Sequence, residues 1–166
     1  VDKLYEYVSP WDNNPQKDGG QTGFWPESAY APNITKEYRM KVLALAQDRL
    51  KMFEDLRGFG YFFAEPEINM ELIDGNKQLK KLSDSERHEL LETARAEFAN
   101  LADWTPESIQ NCLNKLLETT GQKPGILFSL IRIAATWAPF SPQLNDTLAL
   151  IGQEKTLRRL DAYLNY

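Results

Sequence analysis

Arg132 stands between Leu130-Ile131 and Ile133-Ala134-Ala135, a charge set inside an apolar run. A guanidinium among apolar side chains must be paired or must reach outward, because an unpaired buried charge is very costly. Two outcomes fit the residues. One is a buried ion pair with a carboxylate such as Asp146; the other is a planar fork of donors presented to an acceptor-rich ligand. Arg49 poses the same choice on a more polar stretch, with Asp48 before it and Asp55 after it. Helix-surface ion pairs there contribute only about 0.2–0.5 kcal/mol. Beyond Arg132 the chain turns through Trp137, Pro139 and Phe140, which either stiffen a corner or offer a stacking face. Two basic clusters, Lys77/Lys80/Lys81 and Lys155/Arg158/Arg159, read as solvated helix faces or as local phosphate contacts.

A catalytic kit is missing from this inventory. His88 is the only histidine and Cys112 the only cysteine, so no intramolecular disulfide and no Cys/His zinc site can form. His88, beside Arg87 and Glu89, falls off the Leu90/Leu91/Ala94 stripe and is expected as a solvated surface residue. Cys112 lies on an apolar helix face and reads as a small core hydrophobe. The glycine-rich Asp18-Gly-Gly-Gln-Thr-Gly23 lacks the Lys-Ser/Thr of a phosphate loop, and no strand precedes it. The acidic pairs Glu65/Glu67 and Asp84/Glu86 suit turns and caps better than acid–base work. No metal is expected.

With 19 Lys+Arg against 24 Asp+Glu, the chain carries a net charge of −5. Nonspecific affinity for phosphate backbones should be poor, so a nucleic-acid role requires basic residues to converge locally. No apolar run approaches the roughly 18 residues that span a bilayer, and the opening VDKLYEYVSPW does not read as a signal peptide. A cytoplasmic protein without membrane or DNA partners is expected.

The elements that must position these residues are helices. Ile34, Tyr38, Val42, Ala46, Leu50 and Phe53 recur every three or four residues, which predicts a helix over 34–56 with Asn33 as N-cap and Gly58 as its stop. Residues 11–33 are rich in Asn, Gly and Pro without periodicity. They predict a long loop whose aromatics (Trp11, Phe24, Trp25, Tyr30) should pin parts of it to the body. Gly58–Phe63 reads as a tightly packed connector and Lys77–Leu82 as a short helix. Ser83-Asp-Ser-Glu86 is a capping box. Thr105-Pro106 starts another helix and Gly121 closes it. An apolar helix over 126–137, one capped at Ser141-Pro142 and ending at Gly152, and one over 154–164 complete the chain. The fold class is all-α, in two small subdomains: residues 1–57, a connector at 58–68, and residues 69–166.

Several of these stretches, in this order, resemble the C-terminal end of bacterial-type glutamyl-tRNA synthetases. They are Leu45-Ala-Gln-Asp-Arg-Leu-Lys51, Tyr61-Phe-Phe-Ala-Glu-Pro66, Ala102-Asp-Trp-Thr105, Leu130-Ile-Arg-Ile-Ala134, Ser141-Pro-Gln-Leu144 and Ile151-Gly-Gln-Glu-Lys-Thr-Leu-Arg-Arg-Leu160. The match covers roughly residues 34–166. The segment 11–33 departs from it, and Gln143 stands where the family often has Gly.

The resemblance implies an α-helical anticodon-binding cage and no chemistry within it. The family's ATP-binding fold carries His-Ile-Gly-His-like and Lys-Met-Ser-Lys-Ser-like motifs, and neither occurs here. Ligation of glutamate to tRNA, with ATP and Mg, would therefore reside in a catalytic domain outside these residues, which themselves need no cofactor. In the family, an Arg at the position of Arg49 reads the third anticodon base. An Arg at Arg132, with Ser141 as a hydroxyl contact and Leu144 as an apolar contact, reads the first. Cytosine offers adjacent acceptors to such a fork, whereas guanine presents donors, so Arg49 implies a glutamate-selective enzyme. The implied partners are the tRNA(Glu) anticodon loop and the synthetase's own catalytic domain. Lys155, Arg158 and Arg159 would supply phosphate contacts. Two competing readings are a relaxed synthetase serving tRNA(Glu) and tRNA(Gln), and a helical protein–protein docking module using 11–33 as its partner loop.

Overall fold

The computed structural model describes residues 1–8 and 24–166. These fall into two compact units, Val1–Pro66 and Glu67–Tyr166. The described residues form helices and turns, as the periodicity predicts. None of these helices is long and apolar enough to cross a membrane.

The first unit contains α1 (Asp2–Val8) and α2 (Lys36–Ala46). Thr35, not Asn33, caps α2: its hydroxyl accepts the Tyr38 amide at 3.2 Å. The predicted helix over 34–56 is not continuous. After Ala46 the chain tightens into a 3₁₀ turn, Gln47–Arg49, and then extends at Leu50 (φ −77°, ψ 124°). The cause is local. The Asp55 carboxylate reaches back to accept the Lys51 and Met52 amides at 2.8 and 3.0 Å, which offers the backbone an alternative to the α-helical ladder. A second 3₁₀ stretch, Phe53–Phe62, follows, and it is kinked at Phe59 (φ −100°, ψ 18°), the residue after Gly58. Its Leu56, Phe59, Tyr61 and Phe62 are buried, so the Gly58–Phe63 aromatics belong to this unit's core.

The predicted loop 11–33 lies outside the described residues up to position 23. From there Trp25 is buried, its ring edge-on to Phe63 at 5.8 Å, and Glu27–Tyr30 forms a 3₁₀ turn. That part is pinned, as its aromatics predict.

The second unit holds α3 (Glu71–Asp74), α4 (Asp84–Ala99), α5 (Pro106–Thr120), α6 (Pro124–Thr136), α7 (Leu144–Ile151) and α8 (Gln153–Leu164). The expected helix at 77–82 shrinks to a 3₁₀ turn, Leu79–Lys81, anchored by buried Leu79. Local signals succeed where both partners lie within one turn. Ser83 and Glu86 cap each other reciprocally, Thr105 accepts the Ser108 amide with Pro106 in the first turn, and Gly121 adopts φ +65°. Helix α4 packs on α5 and α8, and α6 packs on α8. Leu91, Phe98, Ile109, Leu113, Leu116 and Leu127 form the centre of the core, each at most 1 % exposed. Arg95 clamps α4 to α8 through both oxygens of Asp161, at 2.8 and 3.0 Å.

Candidate nucleic-acid interface

Arg132 occupies the last turns of α6, and the chain after it folds back so that Ser141 meets it. The guanidinium Nε donates to the Ser141 hydroxyl at 3.0 Å, and that hydroxyl donates to the Pro142 carbonyl at 2.8 Å. Ser141 is itself buried. It therefore anchors one edge of the planar fork instead of capping α7, whose N-cap residue is Gln143 without a side-chain bond.

The corner between them is held at several points. Trp137 adopts a left-handed conformation (φ 46°, ψ 38°), a state that costs a non-glycine residue about 1–2 kcal/mol. Burial compensates: its indole stacks on Tyr163 with centroids 5.9 Å apart and planes 20° apart. The Trp137 amide closes on the Ile133 carbonyl at 2.7 Å. Thr136 donates its hydroxyl to the Arg132 carbonyl at 2.8 Å and accepts the Ala138 amide at 3.2 Å. Pro139 and Phe140 then face solvent before the chain re-enters the core at Ser141. The corner aromatics thus divide, Trp137 inward and Phe140 outward.

Leu144 is 5 % exposed and joins the core cluster, so its apolar surface is spent on packing and not on a ligand. Arg159 also departs from expectation. It is 3 % exposed, and its Nη1 donates to the Ala135 carbonyl at 2.8 Å. Ala135 lies in the last turn of α6, where carbonyls lack helical partners and a cation is favoured. Arg159 therefore braces the corner from beneath, which corrects its expected role as a phosphate contact. The sequence held the clue: Thr156, Arg159, Leu160 and Tyr163 share one face of α8 at helical spacing, and all four are buried. Arg158, by contrast, is exposed and lies 3.9 Å from Glu154, and Lys155 is half-buried on the same helix.

In the first unit, Arg49 ends the 3₁₀ turn after α2 and is exposed. Asp55 is engaged by the Lys51 and Met52 amides, which hold its carboxyl below the ordinary carboxylate value. Among the described residues no hydrogen bond or ion pair is assigned to Arg49.

His88 is half-buried, not fully solvated: its ring nitrogens lie 3.2 Å from the Asp84 carbonyl and 3.3 Å from the Leu164 carbonyl, with the ring 5.6 Å from Tyr163. It ties the end of α8 to the start of α4. Cys112 is buried as expected, and burial, reinforced by the Glu97 charge, pushes its thiol up to about 11. It stays neutral beneath a groove of about 420 Å³ that the Glu97–Lys115 pair (2.7 Å) flanks.

Among the described residues, which form helices and turns, one arginine of the second unit is braced at a corner and one of the first unit is open to solvent. The particular family follows from comparison: residues 3–164 match the family model described as an anticodon binding domain, and the chain belongs to that family. Among curated proteins it is 33% identical over 125 residues to glutamate–tRNA ligase 1 of Alkalilimnicola ehrlichii, covering 75% of this chain and 26% of that protein. It is 34% identical over 133 residues to the glutamate–tRNA ligase of Roseiflexus castenholzii, covering 78% of this chain and 25% of the relative. The chain thus spans about a quarter of the length of these relatives. Its fold is similar to the crystal structure of a glutamate tRNA ligase from Elizabethkingia meningosepticum, with a TM-score of 0.71 at 21% identity over 96% of this chain and 29% of that one.

Proposed function

We propose that this chain binds the anticodon loop of tRNA(Glu) and so fixes tRNA register for a glutamate–tRNA ligase. In this reading Arg49 reads the third anticodon base and Arg132 the first. Ser141 is a positioning residue for Arg132, and Leu144, three residues on, packs in the core. Lys155 and Arg158 are the remaining phosphate contacts. ATP, Mg and glutamate are handled by catalytic sequence other than these residues, and the work takes place in the cytoplasm where translation runs.

The observation that carries the reading is membership of the anticodon-binding domain family across nearly the whole chain, joined to an Arg132 held by Ser141 at a braced corner. Specific RNA reading targets splayed single-stranded bases by their Watson–Crick edges, and a guanidinium fork suits the paired acceptors of cytosine. Local presentation of two arginines also reconciles RNA binding with a net charge of −5, because affinity then rests on base contacts more than on the phosphate backbone.

The test is an NMR titration of the labelled chain with a glutamate anticodon stem-loop, beside one carrying G as third base. Shifts at Arg49 and across 132–144, larger for the C-ending loop, are expected. Equal shifts for both loops would keep RNA binding but make the enzyme a relaxed one, and silence with both would overturn the reading.

A further inference from the structure

We infer that the Phe140 ring is a stacking platform for the nucleobase whose edge Arg132 reads, an inference that rests on the anticodon-binding reading above. Phe140 is 59 % exposed, although its chain neighbours Ala138, Ser141 and Pro142 are all buried. An apolar ring is thus held in water by a backbone tied down on both sides.

Before it, Trp137 is locked by its amide bond to Ile133, and the Ala138 amide is bound to the Thr136 hydroxyl. After it, Ser141 is pinned to Arg132 at 3.0 Å and to the Pro142 carbonyl at 2.8 Å. At the end of α6, Arg159 braces the Ala135 carbonyl at 2.8 Å. Such a ring gives up little conformational freedom when something stacks on it, because the backbone is ordered beforehand.

The ligand chemistry follows from what adjoins Phe140 in the chain. One residue away, Ser141 holds a guanidinium by its Nε edge, so a planar donor fork and an aromatic face are supplied by one short stretch of chain. Hydrogen bonds to a base edge combined with stacking on a base face are how proteins read single-stranded nucleic acid. A protein-docking site would instead call for a contiguous apolar patch. The residues flanking the exposed ring outward are Pro139 and Gln143, and the nearby large aromatic, Trp137, is turned into the core against Tyr163.

The experiment compares the chain with its Phe140→Ala, Phe140→Leu and Phe140→Tyr variants. Each is titrated against a glutamate anticodon stem-loop carrying a ¹³C label in the first anticodon nucleotide. Because Phe140 is exposed, circular dichroism should show unchanged helicity throughout. With the unsubstituted chain and the Tyr variant, the labelled base protons should move upfield on binding, the signature of a ring face. The Ala and Leu variants should lose that shift and bind at least ~5-fold more weakly, the lower bound for removing one base–aromatic stack. If the Leu variant keeps full affinity, the ring is a mere apolar contact and the stacking assignment falls. If the chain binds but the Ala variant matches it, this inference falls and anticodon binding stands. If the unsubstituted chain does not bind the loop, both fall together.

Discussion

Arg132 and Arg49 are the same side chain placed in two opposite environments. Arg132 sits in the second unit at the end of a packed helix, its Nε held by a buried serine and its backbone carbonyl held by Thr136. Arg49 sits in the first unit on the last residue of a 3₁₀ turn, exposed, ahead of an extended Leu50. The first is preorganised: its fork is partly oriented by Ser141, so under the proposed function binding would cost less ordering entropy. The second would have to give up rotamer freedom on binding, a cost of up to about 2 kcal/mol for such a side chain. In exchange it can adapt to a base. Under the proposed function, Arg132 would be the rigid reader and Arg49 the adaptable one.

The largest effect should come from removing the brace. Arg159→Met deletes a charged hydrogen bond to the last turn of α6 and should lower stability by about 2 kcal/mol. Thermal unfolding would register a drop of several degrees. Unchanged melting with weaker RNA binding would instead return Arg159 to the role of phosphate contact and erase the contrast between the two regions. Next, Arg49→Gln should leave melting within about 0.5 kcal/mol of the parent, as for exposed sites. It should nonetheless reduce the preference for C over G in the third position by about 1–3 kcal/mol, the scale of a bidentate base contact. The ratio of affinities for two stem-loops reads this directly, and an unchanged ratio would remove Arg49 from the site.

Ser141→Ala sharpens the comparison further. It releases Nε of Arg132 and should weaken loop binding by about 1 kcal/mol, making Arg132 behave like Arg49. A variant that binds as tightly as the parent would mean that anchoring contributes nothing. The smallest effect is that of acid. The Asp55 carboxyl is held below its ordinary value of 3.8 by the amides of Met52 and Lys51, and that of Glu86 below 4.5 by the Ser83 amide and hydroxyl. A lowered carboxyl stabilises the fold above its ordinary pKa, and this support is lost as pH falls through the folded value. As pH falls below 3.8, the Lys51 and Met52 amides beside Arg49 should lose protection against hydrogen exchange, measured relative to the intrinsic rate at each pH. If they stay protected there, the carboxylate is not what ends α2.

Much of the fold was legible because its signals are short-range. Ser83 with Glu86, Thr105 with Pro106, and Gly121 each read as boundaries and serve as such. Ser141 looked like a cap of the same kind, yet its hydroxyl is taken by Arg132, nine residues earlier. The 34–56 stripe also misled. Its spacing continues through Leu50 and Phe53, but spacing cannot register a carboxylate that reaches back to the amides of Lys51 and Met52. Of the candidate site, Arg132 and Ser141 were both singled out through the resemblance, as contacts to one base; that they bond each other was not legible, and Asp146 had stood as a candidate partner of Arg132. That Leu144 is buried and that Phe140 stands clear was not legible either.

By itself the sequence determined the helical class, most of the starts and stops, and the two arginines worth following. Those depend on residue type and on neighbours within about one turn, where helix periodicity and capping operate. Only the tertiary structure decided which cations face water and which aromatics turn inward. Arg159 reaches a carbonyl 24 residues away and His88 approaches one 76 residues away. Burial is set by every element packed around a side chain at once, so adjacent residues such as Arg158 and Arg159 acquire opposite roles.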